Sequence, residues 1–268
     1  YNTYWHWFER GLRAVHGLAE PLTLENWDAV SRRVGAAYAA DRDFHWRALR
    51  AAGYRRLIQD TFWDPGSDVG HPEIFTPAFR CDKFMYGYHR AAVAPNDYRV
   101  WERLDFTGNT LDDFAALMRE KYRSARSAGK LAAIKCAEAY FRTIDFQPDD
   151  RAAAEQAFGT PPDRITREQH LAFGNYIFNR ACEIAAELEV PLQVHTGLAR
   201  LADSQPMKLE ATIARHPKTR FVLFHSGFPW THEVSGLAHN YSNVCPSLTW
   251  TATICTSAAI RALHDYLD

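Results

Sequence analysis

No apolar run in this chain approaches the ~20 residues that a bilayer-spanning helix needs, so no membrane partner is expected. Nor is either charge in excess. The chain has 31 Lys and Arg against 32 Asp and Glu, a formal net charge of -1. That balance leaves no basic footprint for nucleic acid or an anionic surface. Cysteine is sparse: Cys81, Cys136, Cys182, Cys245 and Cys255 are odd in number, scattered, and form no C-x-x-C pair. The pattern fits a reduced, cytoplasmic setting better than a disulfide framework. Internal repeats and low-complexity segments are missing as well, which excludes a solenoid or a linker array.

What is present is an ordinary globular composition, 47% hydrophobic and 24% charged over 268 residues, enough for one large domain with a substantial core. The first fifty residues read as helices. Tyr4, Trp5, Phe8, Leu12 and Val15 recur at helical spacing up to Pro21, and Trp27, Val30, Val34, Ala37 and Tyr38 continue the pattern. Phe44, Leu49 and Ala52 follow before Gly53. Residues 56–62 read as a strand. Residues 63–97 carry Pro65, Pro72, Pro77 and Pro95 with little periodicity and read as a long loop.

From residue 98 the pattern alternates. Strands are expected at 98–106, 131–136, 190–195, 220–225 and 243–248, with helices between them. Thr110 with Asp113, and Thr166 with Gln169, have the spacing of capping boxes that open two of these helices. Apolar strands separated by amphipathic helices imply a parallel sheet with helical crossovers. Counting 56–62, six strands are expected; a closed (β/α)₈ barrel needs eight. The chain opens on Tyr1 and stops within the helical stretch His264–Asp268, so it is read as the middle of a longer polypeptide.

Three of these strands end at a residue able to bind a metal: Lys135, His195 and His225. The C-terminal strand ends of a (β/α)₈ barrel converge, so residues distant in sequence meet there. Neutral imidazole suits zinc and its neighbours, and a catalytic site leaves a position open for water. Each histidine precedes a glycine-bearing turn, Thr196-Gly197 and Ser226-Gly227, which lets the backbone turn sharply. Tyr140 and Arg142 follow the strand of Lys135 and are candidates to orient an anionic substrate, arginine being well shaped to clamp a carboxylate. Trp63 follows the first strand as a candidate pocket wall.

The runs Pro191–Gly197 (PLQVHTG) and Phe221–Pro229 (FVLFHSGFP) resemble the fifth and sixth strands of amidohydrolase-superfamily barrels. The stretch Ile134–Arg142 (IKCAEAYFR) resembles the fourth, and Asn179–Leu188 and Asn240–Val244 the neighbouring segments. The likeness is to the amidohydrolase-2 branch, which includes a domain fused to glutamine-synthetase-like proteins. It implies a (β/α)₈ TIM barrel, with residues 1–268 as a single barrel domain covering strands two to seven behind extra N-terminal helices. It also implies a metal held by a His-x-His on the first strand, His195 and His225 on the fifth and sixth, and an aspartate on the eighth. Lys135 takes the place of the carboxylated lysine that bridges two metals in binuclear members; in mononuclear members that role is absent, and a lysine there is free to bind a substrate carboxylate. This chain holds no His-x-His and no strand-borne aspartate after the seventh strand, so the first and eighth strands are expected outside it.

The activity so implied is divalent-metal-dependent hydrolysis of an amide, ester or lactone in a small, carboxylate-bearing substrate. His225 and Lys135 are the candidate catalytic groups. The cofactor expected is one or two ions, zinc first, with manganese or iron as alternatives. The competing readings are a metal-dependent decarboxylase on the same fold and a non-catalytic barrel serving as a binding or assembly domain. Self-association is the only protein partnership expected.

Overall fold

In the computed structural model, which describes residues 2–268, three helices come first: α1 (Thr3–His16), α2 (Trp27–Ala40) and α3 (Phe44–Ala51). Asn2 caps α1 by accepting the Trp5 N–H, and Gly17 closes it in the left-handed conformation. No residue of α2 or α3 is buried, and Tyr4, Phe8 and Val15 of α1 stay exposed. The helical spacing of the first fifty residues therefore predicts the helices but not a core.

Eight strands follow: β1 (Leu57–Gln59), β2 (Phe75–Arg80), β3 (Val93–Ala94), β4 (Tyr98–Arg99), β5 (Ala133–Cys136), β6 (Leu192–His195), β7 (Phe221–Phe224) and β8 (Val244–Pro246). Six of them form one sheet in the order β1-β2-β5-β6-β7-β8, every neighbouring pair parallel. The order follows the chain without a swap, as in the wall of a (β/α) barrel. Among the described residues β1 and β8 do not pair with each other, so the wall is an open arc.

The helices are α4 (Val100–Arg103), α5 (Leu111–Ser127), α6 (Arg151–Ala157), α7 (Arg167–Glu187), α8 (Glu210–Arg215), α9 (Thr231–Asn240), α10 (Thr251–Ile254) and α11 (Thr256–Leu267). Both capping boxes form, Thr110 with Asp113 and Thr166 with Gln169. Helix α7 lies between β5 and β6 in sequence and buries Phe173, Ile177, Phe178, Ala181 and Ile184. Phe178 stacks on Phe146 with ring centroids 3.6 Å apart. Ile134, Val194 and Leu223 of the strands complete the same core.

The expected strand at 98–106 is not a sheet strand. Tyr98–Arg99 makes a short antiparallel ribbon with Val93–Ala94, and 100–103 turns into α4. The sheet's second strand is instead β2, inside the segment read as a loop. Pro77 has no N–H to donate, which argues against a central strand when the sequence is read alone. In the fold its place is tolerable: pairing with β1 ends at Pro77, and pairing with β5 begins at Ala78. The Pro77 carbonyl still accepts the Ala132 N–H. Helix α6 also went unforeseen, being a single short, alanine-rich stretch.

His216 lies at the end of α8 and bonds through Nε2 to Asn179 Oδ1 at 2.7 Å. Burial, then the neighbouring Arg215, lowers its pKa to about 4, from an unfolded value of 6.5. The folded protein thus binds this proton less readily than the unfolded chain, and stability falls as pH drops from about 6.5 towards 4. Replacing His216 with Gln should flatten that part of the stability–pH profile in urea titrations; an unchanged slope would refute the assignment. Phe178→Ala should destabilise by about 3–5 kcal/mol, and Thr166→Ala by about 1 kcal/mol, both read from denaturant unfolding.

Candidate functional site

The parallel register brings the ends of the sheet strands to one rim. Arg80 pairs with Lys135, Lys135 with Gln193, and His195 with Phe224, the residue before His225. Asp60 follows β1 and reaches the same rim, because it binds Arg80 through both carboxylate oxygens at 2.7 and 2.8 Å.

The two histidines meet. His225 Nε2 lies 3.1 Å from His195 Nδ1, and the ring centroids are 4.5 Å apart. A carbonyl can only accept, so the 2.8 Å contact of His225 Nδ1 with the Thr249 oxygen puts the His225 proton on Nδ1. Its Nε2 is then left with a lone pair that faces His195 Nδ1. His195 Nε2 is buried and, among the described residues, has no partner. Burial lowers the pKa of His195 to about 2, helped by His225, and that of His225 to about 4. Both rings are therefore neutral at pH 7, the form that ligates metals.

The turns after β6 and β7 hold this pair in place. Gly197 has φ 62°, and a Cβ there would sit 2.1 Å from the Phe228 carbonyl oxygen, so only glycine lets the two loops touch. Leu198 N–H donates to that same oxygen at 3.1 Å. His225 and Ser226 also lie in the left-handed region, at φ 62° and 50°. Non-glycine residues held there cost about 1–3 kcal/mol each and cluster at functional sites.

Lys135 is buried beside the histidines, with Nζ 3.3 Å from the Phe224 ring centroid. Burial brings its pKa down to about 7, opposed by Asp60. Tyr140 packs its ring 4.6 Å from that of His195. Lys135, His195, His225 and Tyr140 are thus brought together as the sequence suggested.

Arg142 is placed otherwise. It donates to the Thr143 and Leu171 carbonyls and to Asn175 Oδ1, and its guanidinium lies over Phe146. Its donors face inward to the protein, away from the role of an open carboxylate clamp. Trp63 is 58% exposed and packs edge-on against Phe62; Phe62 is the one that lines a cavity beside the site.

Sequence reasoning missed Asp60, Arg80, Asp82, Lys83 and Glu138. Glu138 lies inside the motif IKCAEAYFR, yet an acid one turn past a strand reads as solvent-facing. In the fold it is 1% exposed, and burial, then Asp82, raises its pKa to about 8. The scattered cysteines also gather: Cys81, Asp82 and Cys136 place their ligand atoms within 4.8 Å of one another. The carboxylate of this trio is satisfied from within. Asp82 accepts the Ala137 N–H and Arg80, and both thiols are free and buried. A guanidinium beside the carboxylate also disfavours a cation there.

Residues 84–266, well over half of the chain, match the family model described as amidohydrolase. The chain is 28% identical over 166 residues to Protein fluG of Emericella nidulans, covering 54% of this chain and 18% of that one. It is 26% identical over 212 residues to a uronate isomerase of Streptococcus equi subsp. equi, covering 74% of this chain and 44% of the relative. The chain thus spans less than half the length of these curated relatives. Among solved structures, glucuronate isomerase from Caulobacter crescentus superposes with a TM-score of 0.65 at 16% identity, over 98% of this chain and 66% of that one. At that identity the likeness concerns the fold, a TIM barrel of the amidohydrolase type.

Because Arg142 is built into the protein, Arg142→Lys should cost stability. Lysine cannot reach Leu171 and Asn175 together while lying over Phe146, and a buried acceptor left unpaired costs about 1–3 kcal/mol. Chemical denaturation measures this. A stable Arg142→Lys protein with weakened substrate binding would instead make Arg142 a substrate clamp.

Proposed function

This chain belongs to the amidohydrolase family, and from that premise we propose that it carries part of a divalent-metal-dependent hydrolase centre. The bond attacked is an amide, ester or lactone of a small, carboxylate-bearing substrate. His195 and His225 hold the ion, zinc being the first choice for two neutral imidazoles, with manganese or iron as alternatives. One observation carries the reading: two buried, neutral imidazoles face each other through His195 Nδ1 and His225 Nε2, 3.1 Å apart, and the His225 Nδ1–H is anchored on a carbonyl. Anchoring of that kind is how metal-binding histidines are oriented.

When bound, a divalent ion polarises a substrate carbonyl and lowers the pKa of water. The chain's own groups do the rest. Thr249 fixes the His225 ring so that its Nε2 faces His195. Lys135, with its pKa near 7, is suited to exchange a proton at Nζ at neutral pH or, if its neutral amine took up carbon dioxide to form a carbamate, would offer two oxygens to a pair of ions. Tyr140 covers the outer face of His195. A second reading, isomerisation of a uronate, is favoured by the likeness to uronate isomerases. It uses the same histidines and differs in the substrate that turns over.

Elemental analysis of protein loaded with zinc and then dialysed should find the ion retained in the native protein and lost in His195→Ala. Ester or lactone hydrolysis should fall by about a thousandfold or more in that variant, a loss typical of removing a central transition-state group. Ion content unchanged by His195→Ala would sink the metal assignment. Turnover of uronates without hydrolysis of any ester, amide or lactone would replace the hydrolase by the isomerase.

A further inference from the structure

Next to the histidine pair lies a cavity of about 260 Å³, lined among others by Phe62, Arg80, Lys83, Tyr86, Glu138 and Tyr140. It is smaller than the roughly 300–1,000 Å³ of drug-sized sites, and so fits a small metabolite. Tyr140 forms both its wall and the cover of His195, so whatever fills the cavity lies one ring away from the proposed metal ligands.

The polar groups of this cavity are incompletely matched within the protein. Lys83 is 4% exposed, and its ammonium donates to the Pro95 carbonyl at 2.8 Å. The Tyr98 ring lies under it at 5.3 Å, and among the described residues two of its three protons meet no acceptor. Glu138 is buried in the same lining, and among the described residues its Oε1 has no hydrogen-bond partner. Unsatisfied buried groups of this sort are costly unless a ligand or ordered water completes them. Arg80 and Asp82 line the cavity too, but Arg80 is already paired with Asp60 and Asp82, so an anion there would rely on the spare protons of Lys83. With its pKa raised by burial and by Asp82, Glu138 adds little negative charge at neutral pH.

We propose that this cavity holds the carboxylate end of a small hydroxy acid, Lys83 pairing with the carboxylate and Glu138 Oε1 bonding the hydroxyl beside it. The substrate's reacting carbon then lies on the His195 side of Tyr140. The proposal deepens the metal-hydrolase reading, on which it rests for the direction in which the substrate points, and it moves the anion-binding role from Arg142 to Lys83.

Calorimetric titration with L-malate tests it, with succinate as the acid lacking the hydroxyl and glycerol as the uncharged control. The protein is titrated both zinc-loaded and chelator-treated, and its zinc content is measured in the same samples. Malate should bind more tightly than succinate, and glycerol not measurably. Lys83→Met should weaken malate binding at least tenfold while Lys83→Arg retains most of it. Glu138→Met, similar in length but without a side-chain oxygen, should erase the preference for malate over succinate. Thermal melts check that each variant is folded; should Lys83→Met fail to fold, the malate–succinate preference in Glu138→Met decides. Failure of both acids to bind the native protein, or equal binding by folded native and Lys83→Met proteins, overturns the proposal. Malate binding that persists in protein unable to retain zinc upholds this subsite and refutes the metal centre. Retained zinc without malate binding does the reverse.

Discussion

Everything at the candidate site depends on the parallel register of neighbouring strands. A parallel sheet points all its strand ends the same way, and the ladder from β2 to β7 keeps them level. A slip of one residue between β6 and β7 would turn one histidine to the other face of the sheet. The side chains that make up the rim come from residues 60, 80, 135, 195 and 225, so no local segment could assemble it. The contact between Gly197 and the Phe228 carbonyl reinforces the register from outside the sheet, by locking the two loops that leave β6 and β7.

The rim is also dry. Lys135, His195, His225, Lys83, Asp82 and Glu138 are all buried, and burial is the largest influence on the shifted pKa values of Lys135, His195, His225, Lys83 and Glu138. Where desolvation leads, groups move towards their neutral forms. For the histidines this supplies the neutral imidazoles that ion binding needs. The permanent charges are handled by pairing: Arg80 is clamped by Asp60 and Asp82. Removing one partner of such a buried pair leaves an uncompensated charge, so this network constrains the rim as firmly as the core does. Arg142 belongs to that scaffold, tying the segment after β5 to α7 through Leu171 and Asn175.

The N-terminal part of the chain contrasts with this centre. Helices α2 and α3 bury no residue, and β1 leaves Ile58 53% exposed. The well-packed part, from β2 to β8, roughly coincides with the region of the family match. Within that region the likeness to glucuronate isomerase extends over a fold whose strand ends can host different reactions, so it is the rim residues that must be tested for chemistry.

Read alone, the sequence determined those features whose cause lies within a few residues of each other. The capping boxes at Thr110 and Thr166, the amphipathic α5, and the buried strands ending at His195 and His225 are written in short-range pattern, and all of them form. The order of those pieces carried the family resemblance. Tertiary structure alone decided the rest. Pro77 masked β2, because whether a missing N–H is tolerable depends on which neighbour pairs where. Arg142 reads as a clamp until Leu171, Asn175 and Phe146 are seen around it. Glu138 and Lys83 read as surface charges, and only burial by segments far along the chain turns them into candidate ligands for a substrate. Desolvation is a property of the whole packed neighbourhood, and no spacing along the chain encodes it.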